Sequence, residues 1–234
     1  MTLAEFRLRI GQTLNLATSS AHNERDLVDS WVNEGIVKVL TATKVNKKTA
    51  QVQLTADKGD YTLDPVMLSF DDIWIEPTPN SGYQPMLEFI DSYDIRAMRN
   101  ASSPAVASPP SYISFEGNTI FLYPNPSSGD VMHIVYVPRP TPLTDEDHDP
   151  SIAPFGEIPA EWHDVIEAYA KWKAADYADD ASSQVGQAYK AEYESGVIGM
   201  KVNLTKKAGV RIGHARVGRR RTTRLAPPGV DIRG

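Results

Sequence analysis

Between Gly156 and Asp180 the chain reads GEIPAEWHDVIEAYAKWKAADYADD, and no other stretch limits the possible folds as strongly. Pro159 suits a first helical turn, where an N–H would have no partner within the helix. Glu157, Glu161 and Asp164 place negative charge near the N-terminus, where the helix dipole favours it. Trp162, Val165, Ile166, Tyr169 and Trp172 recur at spacings of three and four, with Tyr177 five further on, and are expected on one face. Asp164, Ala168, Lys171 and Ala175 are expected on the other. Large aromatics with a polar tip suit a buried core or a subunit interface, not catalysis. Trp162, Ile166, Tyr169 and Trp172, together with Trp31 upstream, are therefore the expected core or interface residues. His163, one position off the stripe, is expected at the helix surface or at an interface.

The N-terminal region supplies two more helices. Thr2 followed three residues later by Glu5 reads as a capping box, and Leu3, Phe6, Ile10 and Leu14 continue at helical spacing. A polar break at residues 18–23 separates this helix from a second one. That helix carries Leu27, Val28, Trp31, Val32, Ile36, Val39 and Leu40 on a broad stripe and is weakened by Gly35 by about 1 kcal/mol.

After Val45 the period changes. Ala50, Val52 and Leu54 alternate with polar residues, and Asp57-Lys58-Gly59-Asp60 supplies turn chemistry before Tyr61-Thr62-Leu63, which predicts a β-hairpin. Met67 to Glu76 reads as a strand or strand pair, Met86 to Asn100 as a short helix, and 101–110 as a Pro/Ser/Ala loop. Tyr112 to Pro140 predicts three antiparallel strands, the first two joined at Glu116-Gly117-Asn118. Prolines 124, 126, 138 and 140 stop the strands where ladder N–H groups would be lost. Beyond Asp180, Ser182 and Ser183 mark an αα-hairpin, and Val185, Tyr189, Tyr193, Val197 and Ile198 give a last helix that frays near Gly196 and Gly199.

The four apolar stripes each need a partner, and packing them together is the simplest solution. The expected fold is α+β. It comprises an N-terminal helix pair (1–46), an antiparallel β-rich insertion (47–151), a C-terminal helix pair (152–205) completing a four-helix bundle, and an extended basic tail (206–234). No long apolar helix face is expected to remain uncovered, so the isolated subunit should be mainly monomeric.

Two motifs carry a resemblance. Ile158-Pro159-x-x-Trp162-His163 followed by Ile166 and Tyr169-Ala170 resembles the penultimate helix of head-to-tail adaptors, or connector proteins, of tailed bacteriophages. Tyr112-x-Ser114-x-x-Gly117-Asn118-x-Ile120-x-Leu122-x-Pro124, the Pro126-Ser127-Ser128-Gly129 turn, the Ile134-x-Tyr136 strand and the acidic loop precede that helix as in the family. The resemblance covers Tyr112 to Asp180 well, 1–110 only in the order of elements, and the tail not at all. It implies a structural virion protein of the neck, without enzymatic activity. It also implies a ring of probably twelve copies beneath the portal protein ring, stopper or tail proteins below, and genomic DNA passing through the channel without sequence specificity.

Charge and chemistry fit a non-enzymatic reading. Residues 206–234 hold nine Lys and Arg against Asp231 alone, a net +8, which leaves −14 for the rest. A basic tail on an acidic body suggests a partner of its own, the alternative being a solubilising tail with no specific partner. As a portal-docking arm its contacts would be Arg211, Arg216, Arg219, Arg220, Arg221 and Arg224, with Ile212, Val217 and Leu225 as apolar anchors. The alternative is a nucleic-acid-binding protein using the same arm on phosphates, although no aromatic residue is interleaved for base stacking. There is no cysteine, hence no disulfide, no thiolate metal ligand and no Cys nucleophile. The five histidines lack metal-ligand spacing, and no cofactor motif occurs. Asp145-Glu146-Asp147-His148-Asp149 lacks the calcium-loop pattern and reads as a solvated acidic loop. No apolar run reaches spanning length, so no membrane partner is expected.

Overall fold

In the computed structural model the described residues are 1–13, 22–63, 67–76, 87–101, 110–126, 129–177 and 184–212, of which 22–24 and 206–212 are described by backbone alone. Helix α1 (Leu3–Thr13) starts at the predicted capping box. The Thr2 N–H donates to Glu5 Oε2 (2.9 Å) and the Glu5 N–H to Thr2 Oγ1 (3.4 Å), so each residue satisfies a helix-end donor of the other. Helices α2 (His22–Thr43), α4 (His163–Tyr177, after a 3-10 turn at Ala160–Trp162) and α5 (Gln184–Ile212) join α1 around one core. Leu3, Phe6, Ile10, Val28, Val32, Ile36, Ile166, Val197 and Met200 all belong to it. Leu14, residues 18–21 of the expected 18–23 break and the Ser182-Ser183 link lie outside the described residues, while His22 and Asn23 of that break already belong to α2.

Two glycines decide how closely these helices approach. A Cβ at Gly35 would sit 3.1 Å from Tyr169 Cδ1 and 3.3 Å from Ile166 Cγ2, and one at Gly196 only 2.6 Å from Val165 Cγ2. The helix propensity lost at Gly35 is thus offset by close packing of α2 on α4. α5 does not fray at Gly196 and Gly199. It runs on to Ile212, seven residues into the segment expected to be extended. Lys206, Lys207 and Ala208 are good helix formers, and positive charge near a helix C-terminus is favourable.

The β-rich part departs from the predicted pairings. β1 (Lys48–Gln53) and β2 (Asp60–Thr62) do not form a hairpin. β1 pairs with β7 (Val131–Pro138) and β2 with β6 (Thr119–Tyr123). The turn between β1 and β2 closes on itself instead, because the Tyr61 hydroxyl accepts from the Thr55 N–H (2.9 Å) and donates to the Thr55 carbonyl (3.2 Å). β5 (Tyr112–Glu116) and β6 form the expected hairpin, with Gly117 at φ 58° in its turn. β7 is not their third strand. It lies between β1 and β3 (Met67–Glu76) in a separate three-stranded sheet.

The other sheet has the order β2-β6-β5-β4. Its edge strand β4 (Glu88–Phe89) runs parallel to β5, so the insertion is not wholly antiparallel. α3 (Ser92–Ala101) follows β4. Ile113, Ile120 and Leu122 from one sheet and Ile73, Ile75, Met132 and Ile134 from the other close a second core. β7 links the two cores: Met132 and Ile134 face the sheet core, while Val137 near its end joins the helical one.

Candidate functional site

The segment after β7 is not simply a solvated acidic loop, for it holds α1 in place. The free N–H groups of the first helical turn need acceptors, and Leu3 and Ala4 find them in the carbonyls of His148 (2.9 Å) and Glu146 (3.1 Å). The Met1 α-amino group donates to Asp149 Oδ2 (3.0 Å) and to His163 Nδ1 (2.9 Å). His163 Nε2 lies 3.1 Å from the Ile158 carbonyl. A carbonyl only accepts, so Nε2 carries the proton and Nδ1 keeps a lone pair for the ammonium. His163 is 1% exposed, which corrects the surface or interface placement expected for it. Burial lowers its pKa below the usual 6.5, and the adjacent ammonium lowers it further. Burial alone would raise Asp149, but hydrogen bonds from the Ser151 hydroxyl and N–H and from the α-amino group outweigh it and hold the carboxyl below 3.8.

Further polar ties lock the same region. Arg7 makes a two-pronged pair with Asp29 on α2 (2.6 and 2.7 Å), the geometry in which guanidinium and carboxylate bind best. Asn33 on α2 both donates to and accepts from the Leu143 backbone (3.1 and 2.7 Å). Glu167, nearly buried on α4, takes Arg9 at 3.2 Å and Lys171 at 2.7 Å. Among the described residues no group of three or more His, Asp or Glu is placed to hold a metal ion.

The expected core or interface residues fall into two sets. Ile166 (0% exposed) and Tyr169 (2%) are core. Burial raises the Tyr169 pKa, and its hydrogen bond to Glu34 raises it further. Trp31, Trp162 and Trp172 are half-buried at the rim. Trp172 packs with Tyr169 (5.6 Å between ring centroids) and Tyr193 (6.3 Å), with Lys173 and Lys190 over its ring. Tyr177 is exposed at 69%. The expected polar side of α4 is partly closed: Ala168 and Ala175 are buried, as is most of Glu167, while Asp164 stays exposed. α4 is therefore enclosed on more than one face.

α5 is not. Val185, Ile198 and Val202 are 54%, 62% and 47% exposed, separate apolar positions on its outer side and not a long apolar face. Arg211 and Ile212 end the α5 backbone. Arg216, Val217, Arg219, Arg220, Arg221, Arg224 and Leu225 lie outside the described residues.

A family model described as SU10 adaptor protein matches residues 1–221. The chain belongs to the SU10 adaptor family. It is a bacteriophage structural adaptor of the head-to-tail type, a class defined by assembly and not by an enzymatic reaction. Membership of the SU10 adaptor family implies a place in the virion neck and association with portal and tail components. The match extends beyond Tyr112–Asp180 over the whole N-terminal half and into the basic segment as far as Arg221, regions where the motif resemblance was loose or lacking. No individual curated protein matches the chain. Among the described residues no helix is long and apolar enough to cross a membrane.

Sequence reasoning missed the Asp149–Met1–His163 cluster and the Arg7–Asp29 and Asn33–Leu143 ties. Their partners are far apart in the chain and follow no local spacing. The Ile158-Pro159-x-x-Trp162-His163 motif did contain a signal, since it holds both His163 and the carbonyl that orients it.

Proposed function

We propose that about twelve copies of this chain form a ring beneath the portal ring and surround the DNA channel, with stopper or tail proteins received below. The SU10 adaptor match across residues 1–221 carries this reading. α1, α2, α4 and α5 act as a four-helix bundle that forms the rigid wall of each subunit. The uncovered apolar positions of α5, above all Ile198, meet the neighbouring copy. The segment after Ile212 reaches the portal, where arginines find carboxylates in paired geometry and Val217 and Leu225 supply apolar anchoring. An acidic body suits a DNA conduit, because like charge discourages the phosphates from sticking.

The test is reconstitution on portal-bearing heads. Full-length protein should add a closed ring visible by electron cryomicroscopy, whereas protein lacking 213–234 should not attach. Undiminished attachment of the truncated protein would remove the anchor role. A full-length protein that instead binds bare DNA, with affinity falling steeply with salt, would favour the nucleic-acid arm.

A further inference from the structure

A groove runs between the start of α4 and the middle of α5. Trp162, Val165 and Gly199 line it, and Glu161, Asp164 and Glu192 form its rim. The floor is apolar: Gly199 adds no side chain to it, and a Cβ there would make ordinary contact with the Trp162 ring at 3.5 Å. The rim is acidic. Asp164 is 76% exposed, with Arg9 3.8 Å away, and Glu161 and Glu192 are exposed too. On α5, Glu192, Ser195, Gly199 and Val202 follow one another at spacings of three, four and three, so they fall on one face. That face leads from the groove towards the end of the helix, with the exposed Val202 on the way.

We infer that this groove binds the chain's own C-terminal segment, folded back in the same molecule before the protein meets its assembly partner. Residues 213–234 carry six arginines against Asp231, a net +5, with Val217 and Leu225 among them. Their charge is opposite to that of the rim, and their apolar side chains suit the floor. The lengths also agree. From Gly199 to Ile212 the helix rises about 20 Å. Arg219 to Arg221 stand seven to nine residues beyond Ile212, a reach of about 23–32 Å when extended. Gly213 follows Ile212 in the sequence, and glycine is the residue type that a reversal after a helix favours. Held this way, the arginines are kept from indiscriminate contact with nucleic acid until a stronger acidic surface competes for them. This deepens the portal-anchor reading by giving the segment a resting place, but its test uses no portal, so either can fail alone.

The full-length chain has no cysteine, so a single engineered pair reports cleanly. Ser195→Cys with Thr222→Cys should form an intramolecular disulfide under mild oxidation several-fold faster than Thr41→Cys with Thr222→Cys. Charge reversal at Glu161→Lys and Glu192→Lys should remove that advantage. Combining it with Arg219→Glu, Arg220→Glu and Arg221→Glu should restore it, which also shows that the variants are folded. No advantage over the Thr41 pair, insensitivity to the rim charges, failure of the compensating charges to restore the advantage, or disulfide-linked dimers in place of monomers would overturn the inference.

Discussion

α4 and α5 lie side by side and draw on the same residue types, yet one is enclosed and the other is half open. Val165, Ile166, Glu167, Ala168, Tyr169, Ala170, Ala174 and Ala175 are all buried on α4. On α5, Val197 and Met200 are buried while Val185, Ile198 and Val202 are not. The difference comes from the neighbours. α4 packs against α1, α2 and α5, and its alanines let them approach, whereas α5 packs mainly on α4, closely at Gly196, and its outer side stays bare. In an assembly protein the enclosed helix is the subunit's own core, and the open one is available to something else.

The comparison is broken most directly by truncating one residue on each helix. Ile166→Ala should cost about 2–5 kcal/mol, and Ile198→Ala should stay within about 0.5 kcal/mol, both read from urea unfolding of the free protein. Equal losses would mean that α5 is as enclosed as α4.

The glycines give a smaller effect whose sign depends on position. Gly196→Val should lose about 1–3 kcal/mol by overpacking against Val165, although valine is the better helix former. Gly11→Ala on α1 has nothing within 4 Å of the new Cβ and should gain up to about 1 kcal/mol. If Gly196→Val also stabilises, the close approach of α5 to α4 is wrong.

The underside of α4 should show a still smaller dependence on pH. The pKa of His163 is lowered on folding, so the unfolded chain binds its proton more readily. Its contribution is fully present above pH 6.5 and declines as the pH falls below that value. Asp149 is also lowered, from 3.8, and its contribution is lost only in stronger acid. Urea midpoints should therefore drop between pH 7.5 and 5.5, and less so in His163→Gln. An identical drop in that variant would assign the effect to other groups.

What could be read from the sequence was local. The Thr2–Glu5 box, the stripes of α1 and α2, and the Glu116-Gly117-Asn118 hairpin each depend on residues a few positions apart, and each is present. The partner of β1 was not legible, because β7 lies some eighty residues away and competes with the nearer β2. The core role of Ile166 and Tyr169 followed from spacing. The half-burial of Trp162 and Trp172 did not, since it depends on where α5 crosses. His163 looked like a surface residue because its burial is compensated by an amino group and a carbonyl that no helical period reveals. The end of α5 was misplaced because a run of Lys reads as tail by charge and as helix by propensity.

The division between a closed α4 and an open α5 is tested most directly by hydroxyl-radical footprinting of the free protein and of the protein assembled on portal-bearing heads. Ile166 and Tyr169 should be unreactive in both, while Ile198 should react when free and become protected on the heads. Ile198 remaining fully reactive in the assembled particle would contradict the account.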